Sequence, residues 1–245
     1  MHNIKCNVCG NTFEARRSDA RYCSVKCKNS NKSVKNFSVD IFNSNKFSFP
    51  SSSYYDIPDL IPQEFTSEFL SHERMTVSFR DRNKHDYNIC SIIDMYTDDY
   101  VIEPVWKSPD LYIDSLSKFF CIIGPDFTFD NRSVEIFNLY RKRCIERFFQ
   151  GSGLKVIPCI RWFDLSSFNY CLDGLFKEGI YSFRFPSVNE FSVNEFRTAV
   201  DIISEELSPA LCVVFGSKKV FSSFGNFPFN VIRYSFNGGS SYPKK

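Results

Sequence analysis

Residues 119–160 read FFCIIGPDFTFDNRSVEIFNLYRKRCIERFFQGSGLKVIPCI, and this stretch decides the fold. Phe119-Phe120-Cys121-Ile122-Ile123-Gly124 is a continuous apolar run that stops at Gly-Pro, the pattern of a strand buried on both faces. Ser133 to Gln150 then takes a helical period. Ile136, Phe137, Tyr140, Cys144, Ile145 and Phe148 fall on one face, and Arg141, Lys142, Arg143 and Arg147 fall largely on the other. Ser133 is a natural N-cap, and Gly151-Ser152-Gly153 closes the helix. Lys155-Val156-Ile157-Pro158-Cys159-Ile160 is a second strand, although Pro158 is awkward in a central position because it has no N–H to give a neighbour.

Working outward, the alternation continues. Ser166 to Leu175 reads as a short helix and Ile180 to Phe185 as a strand. Ser192 to Leu207 reads as a helix, with Phe196, Val200, Ile203 and Leu207 at three- and four-residue spacing. Ala210 to Phe215 is another buried strand, and Phe229 to Phe236 adds a last one. Strands separated by helices of this length imply βα units and a mainly parallel sheet, as an open sheet or a partial barrel. The fold class is therefore α/β. No internal repeat is visible.

The chain has 245 residues, 43% apolar and 24% charged, with 28 Phe and 10 Cys. That composition excludes wholesale disorder. No apolar run approaches the ~20 residues of a membrane span, and no leader precedes Lys5 and Cys6. Four cysteines cluster and the others are scattered singly, as expected of a soluble protein in a reducing compartment, the cytoplasm. The expected organisation is a small ribbon over residues 1–32 and a polar linker over 33–74 whose aromatic residues dock. An α/β domain over 75–237 and a flexible tail over 238–245 follow.

The cluster is Cys6-x2-Cys9, then thirteen residues, then Cys23-x3-Cys27. Two closely spaced thiolate pairs on separate loops can wrap one ion tetrahedrally, and Gly10 permits the tight turn that brings the first pair round it. Zinc is the expected cofactor. A segment this short cannot bury enough apolar surface to fold unaided, so the metal must supply the folding energy.

Charge is uneven. Residues 1–35 hold eight basic side chains against Glu14 and Asp19, a local +6, whereas the net charge of the chain is +2, which leaves −4 on the rest. A basic knob on a mildly acidic body points to a polyanion for the knob alone. Arg16, Arg17, Arg21, Lys26 and Lys28 are the candidate phosphate contacts. The same ribbon is also compatible with protein docking or with a purely structural cap. The aromatic-rich segment 37–55 is a second place where a protein partner could attach.

Chemistry in the body is sparse. His2, His72 and His85 are the only histidines, and none falls in an expected βα loop. Gly-x-x-x-x-Gly-Lys, Gly-x-Ser-x-Gly and Gly-x-Gly-x-x-Gly are all absent, which removes the usual nucleotide cradles and hydrolase elbows. Asp98, Asp99 and Glu103 read as a solvated acidic loop. What remains are polar residues just past the parallel strands, where such sheets place their sites. Asp126, Arg161 and Asp164 are the candidate catalytic residues, with Arg184 beside them. Together they would make a carboxylate–guanidinium cleft for a phosphate-containing substrate or a metal. Helix capping and structural ion pairing are the competing uses of the same residues.

Several motifs in order carry a resemblance. They are Trp106-x-x-Pro109, Gly124-Pro125-Asp126-Phe127-Thr128, Asn138-x-Tyr140-Arg141-x-Arg143 and Gly153-x-Lys155-Val156-Ile157-Pro158-x-x-Arg161-Trp162. Phe168-x-x-Cys171-x-Asp173-Gly174 and Phe215-Gly216 follow. Over roughly residues 95–235 the chain resembles the domain-of-unknown-function family 4417, which occurs in bacterial genomes, phages and other mobile elements. Thr128 stands where that family usually has Ser, and Phe215 where it tends to have Tyr. The resemblance implies a mobile-element setting and imports no mechanism. Tyr22-Cys23-Ser24-x-x-Cys27 separately resembles the end of short ribbons appended to phage-type proteins.

Overall fold

The structure is a computed structural model, and it describes residues 2–7, 9–27, 43, 46–65, 75–84, 91–129, 131–185 and 193–235. The chain divides into two compact units, Met1–Lys46 and Phe47–Lys245.

In the first unit, β1 (His2–Lys5) and β2 (Thr12–Ala15) pair antiparallel, with Ile4 opposite Phe13. The turn between them is a knuckle. The Cys6 N–H donates to the Asn11 carbonyl at 2.9 Å and the Gly10 N–H to the Cys6 carbonyl at 3.0 Å. Gly10 takes φ +74°, a conformation that a side chain would strain.

Among the described residues of the second unit, seven strands run parallel. They are β3 (Thr76–Ser78), β4 (Ile92–Asp94), β5 (Cys121–Ile123), β6 (Val156–Ile157), β7 (Ile180–Arg184), β8 (Leu211–Gly216) and β9 (Val231–Ser235). The first four form one sheet and the last three another, each in chain order. A parallel bridge between Cys159 and Ser182 joins the two. Pro158 is the reason that this junction is so thin. Its carbonyl accepts from the Ser182 N–H at 2.9 Å, and the Ile160 N–H donates to the Ser182 carbonyl at 2.7 Å. The nitrogen of Pro158 can add nothing, so the expected strand over 155–160 shrinks to two paired residues and a bridge.

The wall curls. Tyr96 lies just past β4 and Phe215 on β8, four strands further along. A flat sheet would hold them about 19 Å apart at ~4.8 Å per strand, yet their ring centroids are 4.8 Å apart. Side chains alternate accordingly. Ile92, Ile123, Ile157, Leu211 and Val213 point inward and form one cluster. Ile93, Ile122 and Val156 point outward to one helix layer, and Phe183, Cys212 and Val214 to another. Among the described residues no ladder joins β9 to β3, so the fold is a partial barrel.

The outer layer holds α1 (Asp99–Lys107), α2 (Ile113–Leu116), α3 (Arg132–Gly151), α4 (Val193–Leu207) and α5 (Lys218–Phe224). Helix α3 departs from the sequence expectation in two ways. It begins at Arg132, so Ser133 lies inside it and not at its cap. Its second face is also covered: Lys142 and Arg143 are fully buried and Arg141 is nearly so. The covering is visible. The carbonyls of Asp173, Cys159 and Cys171 accept from Arg143, and the Gln150 side chain exchanges hydrogen bonds with the Ile61 backbone, at 2.8 Å to the N–H and 2.9 Å to the carbonyl. Burial of charge at this depth requires partners. Arg141 finds Glu103 at 2.7 Å and Arg143 finds Glu146 at 2.6 Å.

No helix among the described residues is long and apolar enough to cross a membrane. The expected 238–245 tail lies outside the described residues, as do residues 33–42, 44, 45 and 66–74 of the expected linker.

Candidate functional site

The C-terminal ends of β5, β6 and β7 bring three of the expected residues together. Asp126 follows β5, Arg161 follows β6 and Arg184 ends β7. Asp126 Oδ2 lies 2.8 Å from Arg184 Nε, and Oδ1 lies 3.9 Å from Arg161 Nε. The Asp126 side chain is 3% exposed, Arg161 16% and Arg184 38%. A buried carboxylate is thus flanked by two guanidinium groups that reach toward solvent. Neither Nε is aligned for a hydrogen bond with it.

Asp164 belongs to a separate network. It accepts from the Ser166 N–H at 2.9 Å and so caps the short 3-10 helix Leu165–Asn169, and it pairs with Arg132. The hydrogen bond from the Ser166 hydroxyl, then that from the Ser166 N–H, and then Arg132 hold its carboxyl below the ordinary value.

Beneath Asp126 the barrel interior carries polar groups that sequence reasoning passed over. The Cys159 thiol lies 3.9 Å from Asp126 Oδ1. Ser182 donates to the Val213 carbonyl at 2.8 Å, so in the 2.7 Å contact between Tyr96 and Ser182 the phenol is the donor. Burial pushes both the Tyr96 phenol and the Cys159 thiol up, which leaves them neutral and Cys159 a poor nucleophile. Asp94 ends β4, where burial and then nearby Asp81 push it up to about 7, against a hydrogen bond from the Tyr96 N–H that pulls it down. The signal was there to read: a lone acid inside Ile92-Ile93-Asp94-Met95. Lys142 is fully buried and its Nζ has no hydrogen-bond partner.

Of the acidic group expected to be solvated, Asp98 lies exposed just before α1 and pairs with Arg80 at 2.5 Å, whereas Asp99 and Glu103 lie within the helix. Asp99 accepts from the Thr128 N–H at 3.1 Å and from its hydroxyl at 3.0 Å, and Glu103 holds Arg141. These acids brace the β5–α3 loop. His2 lies exposed in β1, while His72 and His85 lie outside the described residues. Within 37–55, Phe47 is buried in the core and Tyr54 is 93% exposed.

The first unit holds the cysteine cluster. The Sγ atoms of Cys6, Cys9, Cys23 and Cys27 all lie within 4.8 Å of one another. Cys23 stands 3.6 Å from both Cys9 and Cys27. Sulfurs bound tetrahedrally at ~2.3 Å sit about 3.8 Å apart, so the set fits one ion. Ser24 accepts the Cys27 N–H at 3.2 Å and fixes the turn that presents the second pair. The neighbouring sulfurs, Cys27 and then Cys9, push the Cys23 thiol up to about 12. A dication reverses this by favouring thiolate. Arg16, Arg17, Arg21 and Lys26 are exposed on this unit, and Arg17 is held by Asp19 through bonds of 2.9 and 2.8 Å. Lys28 lies outside the described residues.

A family model described as "Domain of unknown function (DUF4417)" matches residues 49–234, and the chain belongs to that family. The resemblance read from the motifs holds, and the cysteine cluster lies outside the matched residues. The "Gene 1 protein" of Mycobacterium phage L5 is 27% identical over 176 residues, covering 70% of this chain and 75% of that protein. The "Gene 1 protein" of Mycobacterium phage D29 is 26% identical over 178 residues, covering 70% of this chain and 64% of that protein, just under two thirds. No solved structure matches.

Proposed function

We propose that this member of the DUF4417 family is a zinc-containing, nucleic-acid-associated protein of a phage or mobile element, working in the cytoplasm. Its four-sulfur knuckle would hold the metal and present cations to a phosphate backbone. One observation carries the reading: four sulfurs spaced for a single ion sit on a unit whose surface displays Arg16, Arg17, Arg21 and Lys26. Zinc suits an all-thiolate tetrahedral set with no open position, and such a site contributes folding energy without chemistry. Cations on a shape fixed in this way bind phosphate without reading bases. Their number is small and Arg17 is shared with Asp19, so the contact is an anchor of modest strength. Cys144, Cys171 and Cys212 are buried singly, which suits a reducing compartment.

The test uses the full chain loaded with zinc and a labelled single-stranded or duplex oligonucleotide. Anisotropy should report binding that weakens steeply as salt rises, and that is lost in the triple variant Arg16→Ala, Arg21→Ala, Lys26→Ala. Binding that ignores salt, or that survives the triple substitution, would remove the reading.

A further inference from the structure

We propose that the mouth of the partial barrel is a binding site for a phosphate monoester, gripped by Arg161 and Arg184, which flank Asp126. This site is built entirely from the second unit and stands apart from the ribbon reading.

The argument begins with charge. Around Asp126 the described residues place two cations, Arg161 and Arg184, against one carboxylate. One buried carboxylate cannot balance two guanidinium groups, and the sign left over calls for an anionic ligand.

The geometry names the ligand class. Both arginines meet Asp126 at their Nε edge. Their terminal nitrogens have no protein partner among the described residues, and Arg184 is 38% exposed. Two guanidinium forks that flank one carboxylate at their near edges and keep their far ends open fit a tetrahedral anion better than a flat carboxylate. A phosphate monoester presents three unesterified oxygens to the two open forks where a diester presents two, so the forks favour the monoester. The position agrees. These residues end consecutive parallel strands, where a curled parallel sheet presents its loops to ligands.

The test uses the full-length chain, titrated calorimetrically with inorganic phosphate, with adenosine 5′-monophosphate and with adenosine. Both phosphates should bind and adenosine should not. Arg184→Gln and Arg161→Gln should each weaken binding by about tenfold or more, near 1.4 kcal/mol. Arg184→Lys, which keeps the charge and loses the fork, should fall between. Hydrogen exchange should show protection by the monophosphate at residues 159–162 and 180–185. The proposal is overturned if wild-type protein gives neither heat nor a Tm shift with either phosphate. It falls equally if the folded glutamine variants bind as wild type does, or if protection is confined to residues 2–27. Should a glutamine variant not fold, the lysine variant and the exchange map decide.

Discussion

Arg143 Nη1 lies 2.6 Å from Glu146 Oε2, and neither side chain is exposed. The same guanidinium donates to the carbonyls of Asp173, Cys159 and Cys171 at 3.1, 3.2 and 3.3 Å. One charged side chain of α3 thereby ties the helix to β6 and to the loop beyond it. Glu146→Gln removes the counter-charge and leaves Arg143 buried. It should cost about 3–5 kcal/mol, the usual result of breaking such a pair from one side. A urea midpoint that does not move would show that the pair contributes nothing.

Gly124 completes that arrangement. A Cβ added there would fall inside the van der Waals shell of the Glu146 carboxylate, whose Oε1 also accepts the Cys159 N–H. Gly124→Ala should destabilise by about 1–3 kcal/mol, as overpacking does. In a Glu146→Ala background the same substitution should cost far less, because the clashing atoms are gone. A double-mutant cycle measures the difference, and strict additivity would refute the account.

Asp94 sets a pH dependence whose sign can be worked out. Its ordinary value is 3.8 and its folded value about 7. Between these, the native state keeps a proton that the unfolded chain has lost. Stability therefore falls as pH rises through this window, by on the order of 4 kcal/mol at its upper end, three pK units at 1.36 kcal/mol each. Asp94→Asn should remove that slope, so the variant should gain on wild type from pH 4 to pH 8. Parallel curves for the two proteins would exclude a raised Asp94.

Phe47 is the first residue of the second unit, and its ring stacks on Trp106 and meets Phe148 edge-on. Phe47→Ala should lower stability by about 3–5 kcal/mol, as expected for a buried aromatic. Truncation at residue 49, where the family match begins, should be destabilising to the same degree. Unchanged melting of either variant would show that this aromatic is dispensable.

Metal removal should act on one unit alone. A chelator should abolish the β1–β2 hairpin, because a structural thiolate site supplies on the order of 10 kcal/mol of folding energy. The main thermal transition, which belongs to the barrel, should remain in place. Cys9→Ser should reproduce the chelated state. A hairpin whose NMR shifts are indifferent to chelator would show that the cluster is not what folds it.

What could be read from sequence followed element length. α3, β7, α4 and β8 are long or strongly periodic, and β5, with three residues, stands out because it lies in the continuous apolar run 119–123; each falls within a few residues of expectation. β3 and β4 have three residues apiece, too few to show a period. α1 was hidden by Pro104 inside it and by acids at its front that resemble a loop. The burial of Lys142 and Arg143 could not be foreseen from α3, because it depends on which distant residues cover them, Glu146 excepted. The meeting of Asp126, Arg161 and Arg184 was legible because parallel βα units carry their loops to one end. Asp164 shares that end, and its short contacts to Ser166 and Arg132 draw it into capping.

The seven strands lie side by side in the order in which they are synthesised. Each can settle on its predecessor as it leaves the ribosome, without waiting for a remote partner, so the wall can grow by accretion from Thr76 onward. Such growth keeps each pair of neighbouring strands close in sequence, which holds down the loop-closure entropy of every pairing.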